Sequence, residues 1–207
     1  MRRVPRQVAR FCRTSPGTAQ EIGSWLRSDG MDSKAARRVA AAELAALTGR
    51  LRHVTAVAEL AASVSVELSA EERDVLVSAA WLHDVGYGPR LVASGFHPLD
   101  GARWLAAQGE QRLARLVAHH TGAAYEARYR GLTEELAEFE PEVSLVADLL
   151  TWCDLRTGPT GDRVEPRNRL AEIVRRYGAE HVVSRSIRSA EPELLATCDR
   201  AARALAR

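Results

Sequence analysis

The chain has 207 residues, 46% of them hydrophobic and 27% charged, with a net charge of only +2. That composition belongs to a globular protein long enough to bury a core, and it excludes a strongly basic nucleic-acid surface. No apolar run reaches the roughly 18 residues of a membrane span, and Cys12, Cys153 and Cys198 are too widely spaced for a disulfide framework or a thiolate metal site, so the expected setting is a reducing cytoplasm.

Residues 1–30 contain Pro5, Pro16, Gly17, Gly23 and Gly30 and show no sustained period. They read as a loosely ordered N-terminal extension to a main domain over 31–207. From Ser33 onward the chain reads as helix. Ser33 is placed to cap a helix through Leu47 that Gly49 ends, and a second runs over 50–67. Ser69 and Glu72 form a capping box for a helix over 70–84. Gly86, Gly88 and Pro89 then break the chain. Pro98 opens a helix that ends at Gly109. Helices follow over 110–121, 124–139 (a short piece) and 141–155. After the loop Gly158-Pro159-Thr160-Gly161, a helix runs from Pro166 to Gly178, with two more over 179–188 and 190–206. No alternating strand pattern and no repeat interrupts this series, so the fold class is all-α.

His83 and Asp84 stand side by side at the end of the apolar segment Val75–Leu82. His83 continues the stripe of Leu76, Ala79 and Ala80. An anion is disfavoured at a helix C-terminus, and a buried imidazole needs a partner; a cation answers both. His53 shares a face with Val57, Leu60 and Val64. His120 lies on the stripe of Leu113, Leu116 and Val117, whereas His119 faces the side of Arg112 and Arg115. Asp154 continues Val143, Ala147 and Leu150, whereas Asp148 lies on a mixed face. His97 precedes Pro98 at the head of a helix that follows the Gly86 break. Taken alone, His53 reads first as a core histidine satisfied by a carbonyl, and His97 as readily as a loop histidine. The set of four imidazoles and two carboxylates is what points to a metal. It suits one or two divalent transition ions (iron, manganese, zinc or nickel) better than magnesium or calcium, and Asp84 between two ions fits the ligand count best.

The order His53, His83-Asp84, Asp154 resembles the HD superfamily of metal-dependent phosphohydrolases. The segments RLRHV, AAWLHDVGYGP, FHPLDGARWL, VAHHTGA and WCDLRTGPTGDRV carry the resemblance, over roughly residues 35–178 with a motif core at 50–178. It implies a compact multi-helix bundle with a metal site between helices. His97 and His120 match the extra histidines of the two-metal subgroup, which includes bacterial diadenosine tetraphosphate hydrolases. The cyclic-di-GMP enzymes of the superfamily carry a Gly-Tyr-Pro motif after their paired histidines. Here Gly86-Tyr87 follows the His-Asp pair directly and Gly88 displaces Pro89.

The resemblance implies metal-dependent hydrolysis of a phosphoester or phosphoanhydride in a small phosphorylated substrate, a nucleotide. Metal-activated water would be the nucleophile, with His83 and Asp84 at the catalytic centre. Arginine is the natural clamp for phosphate. Arg50, on the His53 side of its helix, is the first candidate; Arg90 and Arg156 flank ligands, and His119 is a fourth possible contact. Two other readings share this ligand order or this fold: a diiron oxygenase of a small polar substrate, and a non-catalytic nucleotide-binding helical module.

Overall fold

Side-chain caps set where four of the helices begin, at Asp32, Ser69, Ser144 and His181. The computed structural model describes residues 31–64 and 68–206; the expected extension over 1–30 and the end of the helix expected over 50–67 lie outside them. Asp32, rather than Ser33, caps α1 (Ser33–Glu43) by accepting from the Ala35 amide at 2.7 Å. The Ser33 amide instead reaches Asp74 on α3. A turn leads into α2 (Thr48–Val64), which includes Gly49 in its first turn instead of stopping before it. A glycine there costs about 0.5–1 kcal/mol against alanine, a penalty that burial of Val54, Val57 and Ala58 on the same helix outweighs.

Ser69 caps α3 (Ala70–Leu82) through the Glu72 amide at 3.2 Å, the two residues expected to form the box. α3 stops before His83-Asp84, and a 3₁₀ turn covers Val85–Tyr87. Next come α4 (His97–Ala107), with Pro98 in its first turn, and α5 (Gln111–His119), closed by a 3₁₀ turn over His120–Gly122. The piece expected over 124–139 is two helices, α6 (Ala123–Arg130) and α7 (Thr133–Leu136), because Gly131 adopts φ 72° and ends the first. Ser144, not Pro141, starts α8 (Leu145–Leu155). α9 (Pro166–Tyr177) ends at Gly178, as expected.

The two terminal helices expected over 179–188 and 190–206 are one, α10 (Val182–Leu205), which runs through Pro192. Proline removes the hydrogen bond to the carbonyl four residues earlier. Both Pro192 and Arg188 are exposed, so water can meet that carbonyl, while the buried stripe Ser184, Ile187, Leu194, Cys198, Ala201 continues across the break. Apart from one isolated bridge, Thr157 to Arg163, no β-pairing occurs among the described residues. No described helix is long and apolar enough to cross a membrane.

α3 packs on α1, α2, α5 and α8, and α4 packs along α5. Their apolar faces form one core around Leu76, Leu82, Phe96, Leu99, Leu105 and Leu149. A second, smaller cluster of Leu155, Leu170, Ile173, Ile187 and Leu194 seats α9 and α10 against the end of α8. Gly86 fixes how the turn after α3 meets α4. A Cβ there would sit 2.1 Å from the His97 carbonyl oxygen and 2.7 Å from the Gly101 nitrogen. The missing side chain lets the His83-Asp84 segment lie directly against the head of α4.

Candidate metal centre

Five elements meet at the end of α3. α2 supplies His53, the end of α3 supplies His83 and Asp84, the head of α4 supplies His97, the turn after α5 supplies His120, and α8 supplies Asp154. His53, His83, Asp84, His120 and Asp154 are all buried. One ligand atom each from His53, His83 and Asp84 lies within 4.8 Å of the others, and the same holds for Asp84, His97 and His120. Asp84 belongs to both groups. Its Oδ2 is 3.4 Å from His83 Nε2, and its Oδ1 is 3.2 Å from His97 Nε2.

The ring orientations are fixed from behind. Nδ1–H of His53 donates to the Gly158 carbonyl at 3.0 Å, that of His83 to Ala80 at 2.8 Å, and that of His120 to Val117 at 2.6 Å. A backbone acceptor on Nδ1 selects the tautomer whose Nε2 lone pair is free to bind a metal. The Nε2 atoms converge: His53 Nε2 hydrogen-bonds Asp154 Oδ1 at 3.0 Å, a contact that an ion would take over, and His97 and His120 bring their Nε2 atoms to 3.4 Å. His83 Nε2 is buried and has no well-formed hydrogen bond among the described residues. The Asp84 carboxylate at 3.4 Å meets it by charge rather than by a well-formed bond, and a divalent ion is the partner that would bond both and take their neighbours as well. The donor set of imidazole nitrogens and carboxylates fits a transition metal.

Charge is distributed to suit that. Burial alone would raise the Asp84 carboxyl, but the Arg50 guanidinium, 2.7 Å from Oδ2, and His83 hold it well below the usual range. Burial would also raise Asp154, yet the His53 hydrogen bond and His83 keep it strongly depressed. Burial opposes protonation of His83, but Asp84 outweighs it and pushes the imidazole up to about 9. His120 goes the other way, to about 4, because burial adds to the neighbouring histidines. Two ionised carboxylates and four imidazoles therefore surround one small volume.

Thr121, within the VAHHTGA segment, has a role at the centre that sequence reasoning missed. It adopts φ 48°, ψ 42°, a left-handed conformation costly for a β-branched residue, and its hydroxyl donates to Asp154 Oδ2 at 2.5 Å. The strained turn thus aims His120 inward and fixes Asp154 from the next position. Asp148, by contrast, pairs with Arg200.

The four expected substrate contacts separate. Arg50 lines the cavity over the centre, of about 90 Å³, and an adjoining one of about 430 Å³. Arg90 binds the buried Glu43 carboxylate at 2.6 Å, and Arg156 binds Glu165 at 2.6 Å; neither lines these cavities. Chain proximity to a ligand placed them near the centre, and a nearer acid holds each elsewhere. His119 hydrogen-bonds the Phe139 carbonyl and faces a different cavity, of about 380 Å³. Residues that do line the mouth, and that sequence reasoning missed, include Tyr87, Arg169, Arg176 and Tyr177. A signal existed for two of them: Arg169, Ile173 and Arg176 fall at i, i+4 and i+7, on one face of α9.

No curated protein and no solved structure gives a significant match to the chain. The model of the HD domain family matches residues 50–176, a span that opens at Arg50, closes at Arg176 and contains every histidine and carboxylate of the cluster. With a match over more than half its length, the chain belongs to the HD domain family, whose members are generally metal-dependent phosphohydrolases.

Proposed function

We propose that this protein hydrolyses a phosphoester or phosphoanhydride bond in a nucleotide, in the cytoplasm, using one or two divalent transition ions. His53, His83, Asp84 and Asp154 would hold the first, and Asp84, His97 and His120 the second. The observation that carries the reading is the convergence of imidazole Nε2 atoms, three of them locked from behind by backbone carbonyls, around a carboxylate whose two oxygens face opposite halves of the cluster. The ions would supply Lewis acidity toward the phosphoryl group and an acidified water as nucleophile.

The protein's own groups do the rest. Asp84, kept ionised by Arg50, sets the spacing of the two halves. Arg50 gives one amino group to Asp84 and lines the cavity, so its remaining donors are available to a phosphoryl oxygen. Water attack forms one P–O bond as the ester or anhydride P–O bond breaks, and the leaving oxygen takes a proton. The adjoining cavity, lined by Arg50, Arg169 and Arg176 with no acid among the described residues that line it, favours an anionic substrate over the neutral polar substrate of an oxygenase.

Elemental analysis joined to a screen of phosphomonoesters, diesters and anhydrides tests this. About one to two ions per chain are expected, by the two-metal template, with turnover of one substrate class that chelation removes and metal restores. Metal-loaded protein that takes up oxygen, shows a visible absorption band and cleaves no phosphate compound would replace hydrolysis with oxygenation. Protein that retains no transition metal would support the binding-module reading.

A further inference from the structure

We infer that Arg169 and Arg176 on α9 form a second anion subsite, so that the substrate carries a further phosphate beside the one that reacts. This rests on the phosphohydrolase reading of the centre and names what that reading leaves open.

Arg169 is only 5% exposed, and its Nε is buried without a hydrogen-bond partner among the described residues. A buried guanidinium N–H left unpaired costs the full desolvation of that group. Arg169 and Arg176 line both the small cavity over the metal centre and the larger one beside it. They share a single carboxylate: Glu172 pairs with Arg169 through Nη1 and with Arg176 through Nε at 3.4 Å. Two guanidinia facing one acid leave one positive charge uncompensated. Among the described residues, the one acid lining the small cavity outside the metal cluster, Glu126, is itself paired with Arg130.

Arg50 lines the same two cavities but is tied to Asp84 at the reacting end. Neither α9 arginine bonds a residue of the cluster. The division of labour follows: Arg50 and the metal ligands meet the reacting phosphoryl group, and the α9 pair meets a second anion. A guanidinium fork matches phosphate oxygens through paired N–H donors, which a lone ammonium cannot do. Leu47, Pro159 and the Tyr87 ring give the larger cavity apolar surface for the remainder of the substrate.

Calorimetric titration of metal-replete protein with inert phosphonates tests this apart from turnover. The probes are methylphosphonate, methylenediphosphonate and propylene-1,3-diphosphonate, with metal content measured throughout. At least one diphosphonate should bind wild type about tenfold or more tighter than methylphosphonate, the scale of one charge-assisted hydrogen bond. That advantage should shrink to about twofold or less in Arg169→Gln and in Arg176→Gln, by loss of the same bond. Arg176, with 37% of its side chain exposed, decides the matter if the Arg169 variant fails to fold. Equal binding of mono- and diphosphonates by wild type, or an advantage that survives in folded variants, overturns the subsite alone. No binding of any of the three by metal-loaded wild type overturns the subsite together with the phosphate reading beneath it.

Discussion

On one side of Asp84, His53 and His83 are 2% and 0% exposed, and each ring is held by a backbone carbonyl. On the other side His97 keeps 17% of its side chain exposed and, with His120, lines the mouth of the cavity. The buried half is fixed by helices of the main core: α2, α3 and α8. The open half depends on a turn, a helix head and one close backbone approach at Gly86. A ligand set buried in a packed core is preorganised, whereas one at a cavity mouth keeps freedom to meet substrate. The expected consequence is one tightly held ion and one that exchanges.

Removing the group the halves share should have the largest effect. Asp84→Ala is expected to abolish retention of both ions and all turnover, with a loss of metal affinity above the roughly 10–100-fold typical of outer-shell changes. Far-UV circular dichroism should stay helical, and Asp84→Asn serves as the isosteric check. Full metal content with normal turnover in either variant would remove Asp84 from the centre.

Changing one half at a time should separate the two. His120→Ala is expected to lose about one of two ions and keep the other, by the two-metal template. His53→Ala should strip the tight ion, and Asp154→Ala should do the same where Asp148→Ala does not, because Asp148 is occupied by Arg200. Metal stoichiometry by elemental analysis reads this directly. A single ion that His120→Ala leaves undisturbed would collapse the two halves into one site.

The buried half was the more legible in sequence. The 3.6-residue period placed its members other than the shared Asp84 (His53, His83 and Asp154) on apolar stripes, and of the open half only His120; a buried polar group always raises the question of its partner. His97 was placed only by Pro98. The α9 arginines share a face with Ile173, but that face covers a cavity rather than the main core, and nothing local tells an arginine turned toward a cavity from one turned to solvent. Glu43 was invisible for the opposite reason: nothing local announces that a glutamate ending α1 will be 5% exposed and will capture Arg90. Most element positions were readable from caps and breakers. At Gly49 and Pro192, where a helix runs on, tertiary burial outweighed a local penalty of known size; at Ser33 and Pro141 a neighbouring residue, Asp32 or Ser144, makes the cap instead.

Proton release on loading should differ between the halves. In the metal-free protein His83 titrates near 9, above its ordinary 6.5, so its ion pair with Asp84 stabilises the fold fully below about 6.5 and is lost as pH rises through 9. An ion needs the neutral ring, so filling the buried half between these values releases about one proton. His120 is neutral above about 4 and releases none. Calorimetry in buffers of different ionisation enthalpy should therefore show release with the first equivalent of metal and little with the second. The rise in Tm on adding metal should grow as pH increases from 6.5 to 9. Equal release by both equivalents would mean that the halves do not differ in this way.

The smallest effect should come from Tyr87, and it bears on what holds the open half in place. The Tyr87 ring stacks on His97 with centroids 4.0 Å apart and planes 16° from parallel. The Arg50 guanidinium carbon lies 4.2 Å from the centroid of the Tyr87 ring. Tyr87 thus spaces the residue that anchors Asp84 from the one that completes the second group. An aromatic pair of this kind is worth about 0.5–1.5 kcal/mol beyond its buried area, so Tyr87→Leu should weaken the second ion by about 2- to 10-fold. The first ion, which shares Asp84 but is otherwise held by His53, His83 and Asp154, should weaken less. Tyr87→Phe keeps the stack and removes only the hydroxyl, so it should bind both ions within about twofold of wild type, its aromatic contacts being retained. If Phe and Leu weaken the second ion equally, the hydroxyl and not the ring sets His97. If neither changes it, Gly86 and the α4 backbone alone position that histidine, and the open half is as rigid as the buried one.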